Sequence, residues 1–181
     1  MRINGHGHIL PEPFQIPKFL KDKRLFWIDE NKKFMRQGDW SRPINSPNFF
    51  IKDKINWMNK HEIDHGVMLC LSQLYCNGWK EQDCIDGIRF QNDFNASIQR
   101  DYPETFTCGF VVQPLYMDHA LKEIDRCVNE LGLKLLCLPT HFLAVRLGER
   151  TYQWTVGASH GKKWHLSKRH RWQSKRCCDK V

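Results

Sequence analysis

Residues 2–11 of the chain read Arg2-Ile3-Asn4-Gly5-His6-Gly7-His8-Ile9-Leu10-Pro11. This stretch predicts a short strand that runs into a His-x-His pair. Because side chains alternate with period two along a strand, both imidazoles are expected on the same side of it. Two neutral imidazoles placed in this way can bind a divalent metal at about 2.0–2.1 Å. On spacing alone, two solvent-facing histidines in a polar loop explain the pair equally well.

Strand and helix patterns alternate from this stretch to residue 142. The predicted strands are 3–9, 65–72, 106–112 and 134–138, and the predicted helices are 50–60, 83–100 and a third that Asp118 caps and Gly132 follows. Residues 11–50 show no clean period and predict a long excursion over the mouth of the fold. Strands that alternate with helices indicate a parallel sheet, either doubly wound or closed into a barrel.

Composition sets the broad class of the protein. The 181 residues, 41% of them hydrophobic, suit one globular domain or part of one. No apolar run approaches the roughly 18–20 residues of a membrane span, so we expect no membrane partner. The eight cysteines form no Cys-x-x-Cys motif, which favours free thiols and a cytoplasmic setting. No glycine-rich phosphate loop follows a strand, which counts against nucleotide binding.

The positive charge of the chain is confined to its last segment. Residues 143–181 hold ten basic and two acidic residues, which accounts for the whole formal net charge of +8. The overall charge therefore says nothing about the partners of the first 142 residues. Mixed cations and aromatic residues in this tail, such as Lys163-Trp164 and Arg171-Trp172, could bind single-stranded nucleic acid. No folded platform for such binding is evident, so we do not expect it.

Several motifs, taken in order, resemble the amidohydrolase superfamily, and more narrowly the branch typified by aminocarboxymuconate-semialdehyde decarboxylase. The opening His6-x-His8 followed by Ile9-Leu10-Pro11 resembles the start of that branch. Further similar segments are Met58 to Leu71, Asn92-Asp93, Tyr102-Pro103-Glu104-x-Phe106 with Cys108-Gly109, Cys127 to Gly132, and Thr140-His141. The resemblance covers about residues 1–142.

The resemblance implies an α/β fold: part of a (β/α)₈ barrel, strands one to four with their helices, followed by an irregular basic tail. It implies a catalytic Zn²⁺ or another divalent metal with His6 and His8 as two of its ligands, and a small carboxylic acid as substrate. Members of this family mainly decarboxylate unsaturated or aromatic acids, and some are hydrolases. Arg36 is the candidate for the substrate carboxylate, against a solvated loop charge. His141 is a candidate substrate contact, against a structural polar residue.

The resemblance stops at Phe142, whereas a complete barrel has eight strands and about 250 residues. The remaining metal ligands and the catalytic base are therefore unknown, and His160, His165 and His170 match no family motif. We interpret 143–181 as a disordered tail or the product of a reading-frame change, which predicts that another frame of the downstream DNA encodes the missing strands. We expect the chain alone to be inactive. A non-catalytic fragment that associates through its open barrel edge is the alternative.

Overall fold

A computed structural model describes residues 1–44 and 49–138, together with the backbone of four short strands between 141 and 168. The chain divides into two units, Met1–Leu138 and Pro139–Val181. The first unit contains, in order, β1 (Ile3–Gly7), α1 (Lys18–Asp22), β2 (Trp27–Ile28), β3 (Phe34–Gln37), β4 (Trp40–Pro43), α2 (Ile51–Lys60), β5 (His65–Met68), α3 (Glu81–Asp101), β6 (Phe106–Val111), α4 (Met117–Asn129) and β7 (Leu135–Cys137). Two 3₁₀ turns, Pro13–Gln15 and Ser72–Tyr75, lie between these elements.

Four parallel strands form the central sheet of the first unit, in the order β1-β5-β6-β7. Each neighbouring pair is linked by a segment that includes a helix, as parallel pairing requires. Phe106, Phe110 and Val111 of β6 are buried, because an inner strand is covered on both faces. The predicted partial α/β barrel is therefore confirmed, and its four predicted strands are β1, β5, β6 and β7. Along the described residues β1 is an edge strand, and association through that edge stays a prediction.

The start of α4 differs from the sequence prediction. Asp118 was predicted to cap this helix, but the helix begins at Met117 and Tyr116 occupies the N-cap without a side-chain hydrogen bond. Asp118 lies instead in the first turn, where its carboxylate still favours the positive end of the helix dipole. Gly132, with a φ of +71°, lies just beyond the helix as predicted, in the left-handed region that glycine tolerates.

Residues 11–50 contain regular structure that the sequence pattern did not reveal. Strands β2, β3 and β4 form a small antiparallel sheet, with a two-residue turn at Gly38-Asp39 between the last two. Strands of two to four residues are too short to show a period. The excursion has a core of its own, where Leu20, Phe26 and Met35 cluster with Leu71 and Leu74, which follow β5. The small sheet is thereby anchored beside the carboxyl end of β5.

The second unit includes two antiparallel strand pairs, although we predicted an irregular tail there. Strand β8 (His141–Phe142) pairs with β9 (Val145–Arg146), and β10 (Trp154–Ser159) pairs with β11 (Lys163–Lys168). The longer hairpin has a signal in the sequence. Large apolar residues alternate with smaller or polar ones, at Trp154 and Val156 in β10 and at Trp164 in β11, and a glycine lies between the two strands. The disorder or frame change proposed for 143–181 stays a prediction.

Gly109 of β6 provides a test of packing in the sheet. A Cβ atom at this position would lie 2.5 Å from Cys137 Sγ and 3.2 Å from the Leu135 carbonyl oxygen. We expect Gly109→Ala to lower the free energy of unfolding in urea by about 1–3 kcal/mol, because neighbouring strands must shift. Gly5→Ala is the matched control, since a Cβ there meets nothing within 4 Å. Equal stability of the two variants would contradict the packing described.

Two further observations concern the described part of the chain. None of its helices is long and apolar enough to cross a membrane. The cysteines described there carry free thiols, and each is buried: Cys70, Cys76, Cys84, Cys108, Cys127 and Cys137. A buried cysteine of this kind acts as a small apolar side chain.

Candidate metal centre

The two histidines of the His-x-His pair lie side by side at the carboxyl end of β1. Their Nε2 atoms are 3.3 Å apart, and their ring planes are nearly perpendicular. His6 is exposed and His8 is half-buried. The structure thus brings both imidazoles to one side of the strand, as the spacing predicts, although metal binding itself stays a prediction.

A backbone contact sets the orientation of the His8 ring. His8 Nδ1 lies 3.0 Å from the carbonyl oxygen of Leu69, just beyond β5. Because a carbonyl oxygen only accepts, neutral His8 carries its proton on Nδ1 and leaves a lone pair on Nε2, facing His6. This arrangement, a ligand nitrogen on one side of the ring and a backbone carbonyl on the other, is the usual environment of metal-binding histidines.

The separation of the two nitrogens fits a shared metal. Two nitrogens bound to one tetrahedral metal at about 2.0–2.1 Å lie about 3.3–3.4 Å apart. The observed Nε2–Nε2 distance of 3.3 Å meets that requirement. Without metal, the same distance allows His6 Nε2 to donate a hydrogen bond to His8 Nε2. Metal binding through His6 Nε2 would require that proton to lie on Nδ1 instead. Because a second proton on either imidazole would compete with the metal, affinity is expected to fall at low pH.

Burial lowers the pKa of His8 below its ordinary value of 6.5, and the positive charges of His6, Lys54 and Arg42 act in the same direction. Between the folded-state pKa and 6.5 the unfolded chain binds the extra proton, so the stability of the metal-free chain rises with pH through that window. We expect a ¹⁵N NMR titration of the His8 ring to give a midpoint below 6.5. A midpoint above that value would contradict the burial described.

A cavity of about 340 Å³ lies beside His8. Its walls come from the end of β1, the small sheet and the segments flanking α2 and β5, with lining residues Leu10, Met35, Arg42, Pro43, Ile44, Phe49, Leu71, Ser72 and Gln73. No acidic side chain is among these described residues. Arg42 is exposed and forms no ion pair within the described part of the chain. The cavity therefore combines apolar walls with the His8 imidazole and with a cation that has no ion pair among the described residues.

Arg36, predicted to bind a substrate carboxylate, has a partner already. Its Nε and Nη2 atoms donate to the two carboxylate oxygens of Asp29 at 2.8 and 2.9 Å. These hydrogen bonds lower the pKa of Asp29 and raise that of Arg36. The role predicted for Arg36 stays a prediction. The ion pair with Asp29 argues against it, because it already occupies two N–H donors of the guanidinium group. The side chain of His141 lies outside the described residues, so its predicted role also stays untested.

Sequence reasoning missed two cations near this site. Arg42 lies in β4, three residues beyond the Gly38-Asp39 turn, and a Gly-Asp pair between short strands is a recognised hairpin signal. Lys54 of α2 is only 5% exposed. It lies on the same helical face as Ile51 and Met58, and a lysine on an apolar face is the signal that could have identified it.

A second cavity, of about 380 Å³, lies between α3 and α4. Two of its lining residues, Glu123 and Arg126, pair with each other through hydrogen bonds of 2.7 and 2.9 Å, and Asp125 and Glu130 add further acidic groups to its wall. The site beside His8, which no described acidic residue lines, is therefore the better candidate for an anionic ligand.

Comparison with known proteins gives one curated relative and several structural neighbours. The chain is 28% identical over 142 residues to a 2-amino-3-carboxymuconate-6-semialdehyde decarboxylase of Dictyostelium discoideum, covering 74% of this chain and 38% of that protein. No family model matches the chain. The chain thus spans well under half the length of the curated relative it matches.

Solved structures agree in fold. A protein described as an amidohydrolase II superposes with a TM-score of 0.61 at 20% identity, covering 82% of this chain and 44% of that one. A 5-carboxyvanillate decarboxylase from Novosphingobium aromaticivorans, whose structure contains manganese and 3-methoxy-4-hydroxy-5-nitrobenzoic acid, superposes with a TM-score of 0.57 at 16% identity, covering 78% and 42%. Together with the curated relative, these matches confirm the resemblance inferred from the sequence motifs.

Proposed function

We propose that this chain, a relative of the decarboxylases of the amidohydrolase superfamily, provides the part of a metal-dependent carboxy-lyase site that binds metal and substrate carboxylate. The observation that carries the proposal is the pair of Nε2 atoms 3.3 Å apart, with the His8 ring oriented by Leu69, beside a cavity that contains Arg42. The name of the curated relative favours decarboxylation over hydrolysis.

In this proposal His6 and His8 hold the metal. A bound divalent metal polarises a substrate oxygen and lowers the pKa of a bound water. Imidazole nitrogens suit Zn²⁺, whereas one structural neighbour contains manganese, so both ions should be compared. The described residues contain no cluster of three or more metal-binding side chains. A zinc site needs three or four protein ligands, so the others must come from residues outside that part.

Arg42 is proposed to bind the substrate carboxylate. A guanidinium group presents two parallel N–H donors to a carboxylate, and no described residue competes for those of Arg42. The apolar walls, which include Leu10, Met35 and Phe49, suit the flat body of an unsaturated or aromatic acid and exclude water from it. Ser72 and Gln73 supply polar groups at the same wall.

The proposal can be tested by binding, without requiring turnover by this chain. 3-Methoxy-4-hydroxy-5-nitrobenzoic acid is coloured and can be titrated against the chain in the presence of Zn²⁺ or Mn²⁺. We expect saturable binding that chelation of the metal abolishes and that Arg42→Met weakens by about tenfold, the loss of one charge-assisted interaction. Arg24→Met is the control, since Arg24 pairs with Asp39 away from the cavity.

The same titration decides between the two arginines. If Arg36 binds the acid, Arg36→Met will weaken binding and Arg42→Met will not. If neither substitution nor chelation changes the affinity, the proposed function is wrong. Release of carbon dioxide by the metal-loaded chain would support decarboxylation and overturn our expectation that the chain alone is inactive.

A further inference from the structure

Gln91 is a buried amide of α3 whose two polar atoms are placed very differently. Its Oε1 accepts a hydrogen bond from the backbone N–H of Leu71 at 3.1 Å. Its Nε2 has no hydrogen-bond partner among the described residues, although the side chain is only 2% exposed. A buried donor without a partner is unfavourable, and an apolar side chain of similar length would avoid it. The contact made by Oε1 is therefore the feature that accounts for a glutamine at this position.

The segment Leu69–Leu71, which Gln91 contacts, follows directly after the last residue of β5. At its start, the Leu69 N–H still donates to the carbonyl oxygen at the end of β1, at 2.8 Å. At its end, Gln91 holds the Leu71 N–H from the side of the helix. Between these two anchors lies the Leu69 carbonyl, the group that contacts His8 Nδ1 at 3.0 Å. The helix is thus connected to the imidazole through three residues of backbone.

Other contacts of the same segment show that α3 sets its position. Asn95, one helical turn beyond Gln91 on the same face, donates to Cys70 Sγ at 3.5 Å. The segment continues into a wall of the cavity beside the candidate metal centre, since Leu71 and Ser72 both line that cavity. The buried amides of α3 therefore hold the backbone that carries the contact to the imidazole and begins the cavity wall.

We propose that Gln91 is a positioning residue of the candidate metal centre, acting on His8 through the backbone that follows β5. This inference rests on the proposed function, in which His8 is a metal ligand. Oε1 fixes the Leu71 N–H and thereby the place of the Leu69 carbonyl. That carbonyl keeps the His8 proton on Nδ1 and leaves the lone pair on Nε2, which a metal needs. Gln91 itself touches neither metal nor substrate.

Gln91→Met tests the inference, because it removes the amide and keeps the length of the side chain. ¹⁵N NMR of the neutral His8 ring distinguishes a nitrogen that carries a proton from one that carries a lone pair, and it needs no metal. We expect the Nδ1–H form in the unmodified chain and a mixture of both tautomers in Gln91→Met. Zinc affinity, measured by calorimetry, should fall about tenfold, the lower end of the loss caused by removing a partner that orients a metal ligand. Gln91→Glu keeps an oxygen acceptor and should retain both properties.

Gln99→Met is the matched control on the same helix. Gln99 Oε1 accepts from the backbone N–H of Cys108 within β6 at 2.9 Å, and its Nε2 donates to the Gly132 carbonyl oxygen at 3.2 Å. Gln99→Met therefore also removes an amide bond between α3 and strand backbone, but not one to the segment after β5. We expect it to leave the tautomer of His8 unchanged and zinc affinity within about twofold. The same spectra report whether each variant is folded.

The outcomes separate this inference from the proposed function. If Gln91→Met leaves the tautomer of His8 unchanged, or if Gln99→Met alters it equally, the inference is wrong, whether or not zinc binds. The inference also fails if Gln91→Glu behaves like Gln91→Met, because the oxygen acceptor is then not what matters. If the tautomer responds as expected but the unmodified chain does not bind zinc, the positioning of His8 is supported and the proposed function is wrong.

Discussion

Replacement of His8 by alanine is expected to abolish saturable binding of Zn²⁺ at this site. In other metalloproteins, loss of a partner that only orients a ligand costs about 10–100-fold in metal affinity, and loss of the ligand itself should cost more. His8 is also the better oriented of the two histidines, because Leu69 fixes its tautomer. We expect His6→Ala to have a similar effect, since a single imidazole does not define a site. Isothermal titration calorimetry measures both.

The control for this experiment is His119→Ala. His119 is an exposed residue of α4, 3.8 Å from Glu81, and takes no part in the site. Its loss should leave zinc affinity within twofold of the unmodified chain. If His6→Ala and His8→Ala behave like this control, the pair consists of polar loop residues, which is the alternative that their spacing allows. Resonances of the two imidazole rings, followed by NMR during the titration, would show directly whether zinc contacts both nitrogens.

The strands and helices of the central sheet could be predicted because each has a clear periodic pattern. The apolar run beginning at His65 and the helical spacing around Ile88 are local signals. The helix forms within two residues of the predicted bounds, whereas the strand predicted over 65–72 ends at Met68. The small sheet was missed because its strands are only two to four residues long. Its stability comes from packing against Leu71 and Leu74, and such a contact between distant segments leaves no period in the sequence.

The candidate site was likewise predictable only where the signal is local in the sequence. The pairing of His6 with His8 follows from a spacing of two residues. The contact that orients His8 joins it to Leu69, 61 residues away, and only the parallel pairing of β1 with β5 brings the two together. The position of Arg42 depends on the turn at Gly38-Asp39 and on the register of β4 against β3. A pattern search can suggest which residue types suit a carboxylate, but the register decides which arginine faces the cavity.

Asn92→Ala is expected to cause the largest loss of stability among the substitutions considered. Asn92 is fully buried, and its amide both donates to the carbonyl oxygen and accepts from the N–H of Val111, each at 2.9 Å. It also donates to Glu123 at 2.8 Å, so one side chain joins α3 to β6 and α4. Alanine would remove the side-chain partner of both backbone groups of Val111 and one of the donors to Glu123. We expect the free energy of unfolding in urea to fall by about 3–5 kcal/mol.

The network beyond Asn92 explains why no simple replacement should rescue this loss. Glu123 accepts hydrogen bonds from both Arg126 and Asn92, and Arg126 also donates to Asp93 at 2.6 Å, so Asn92 is one member of a connected network. Asn92→Asp would set a second carboxylate against Glu123 and the Val111 carbonyl, and should be at least as damaging as alanine. Asn129→Ala, which removes only an exposed bond to Asp125, is the control. A loss below about 1 kcal/mol for Asn92→Ala would mean that water replaces the amide, and that the Asn92-Asp93 pair does not hold α3 against the sheet.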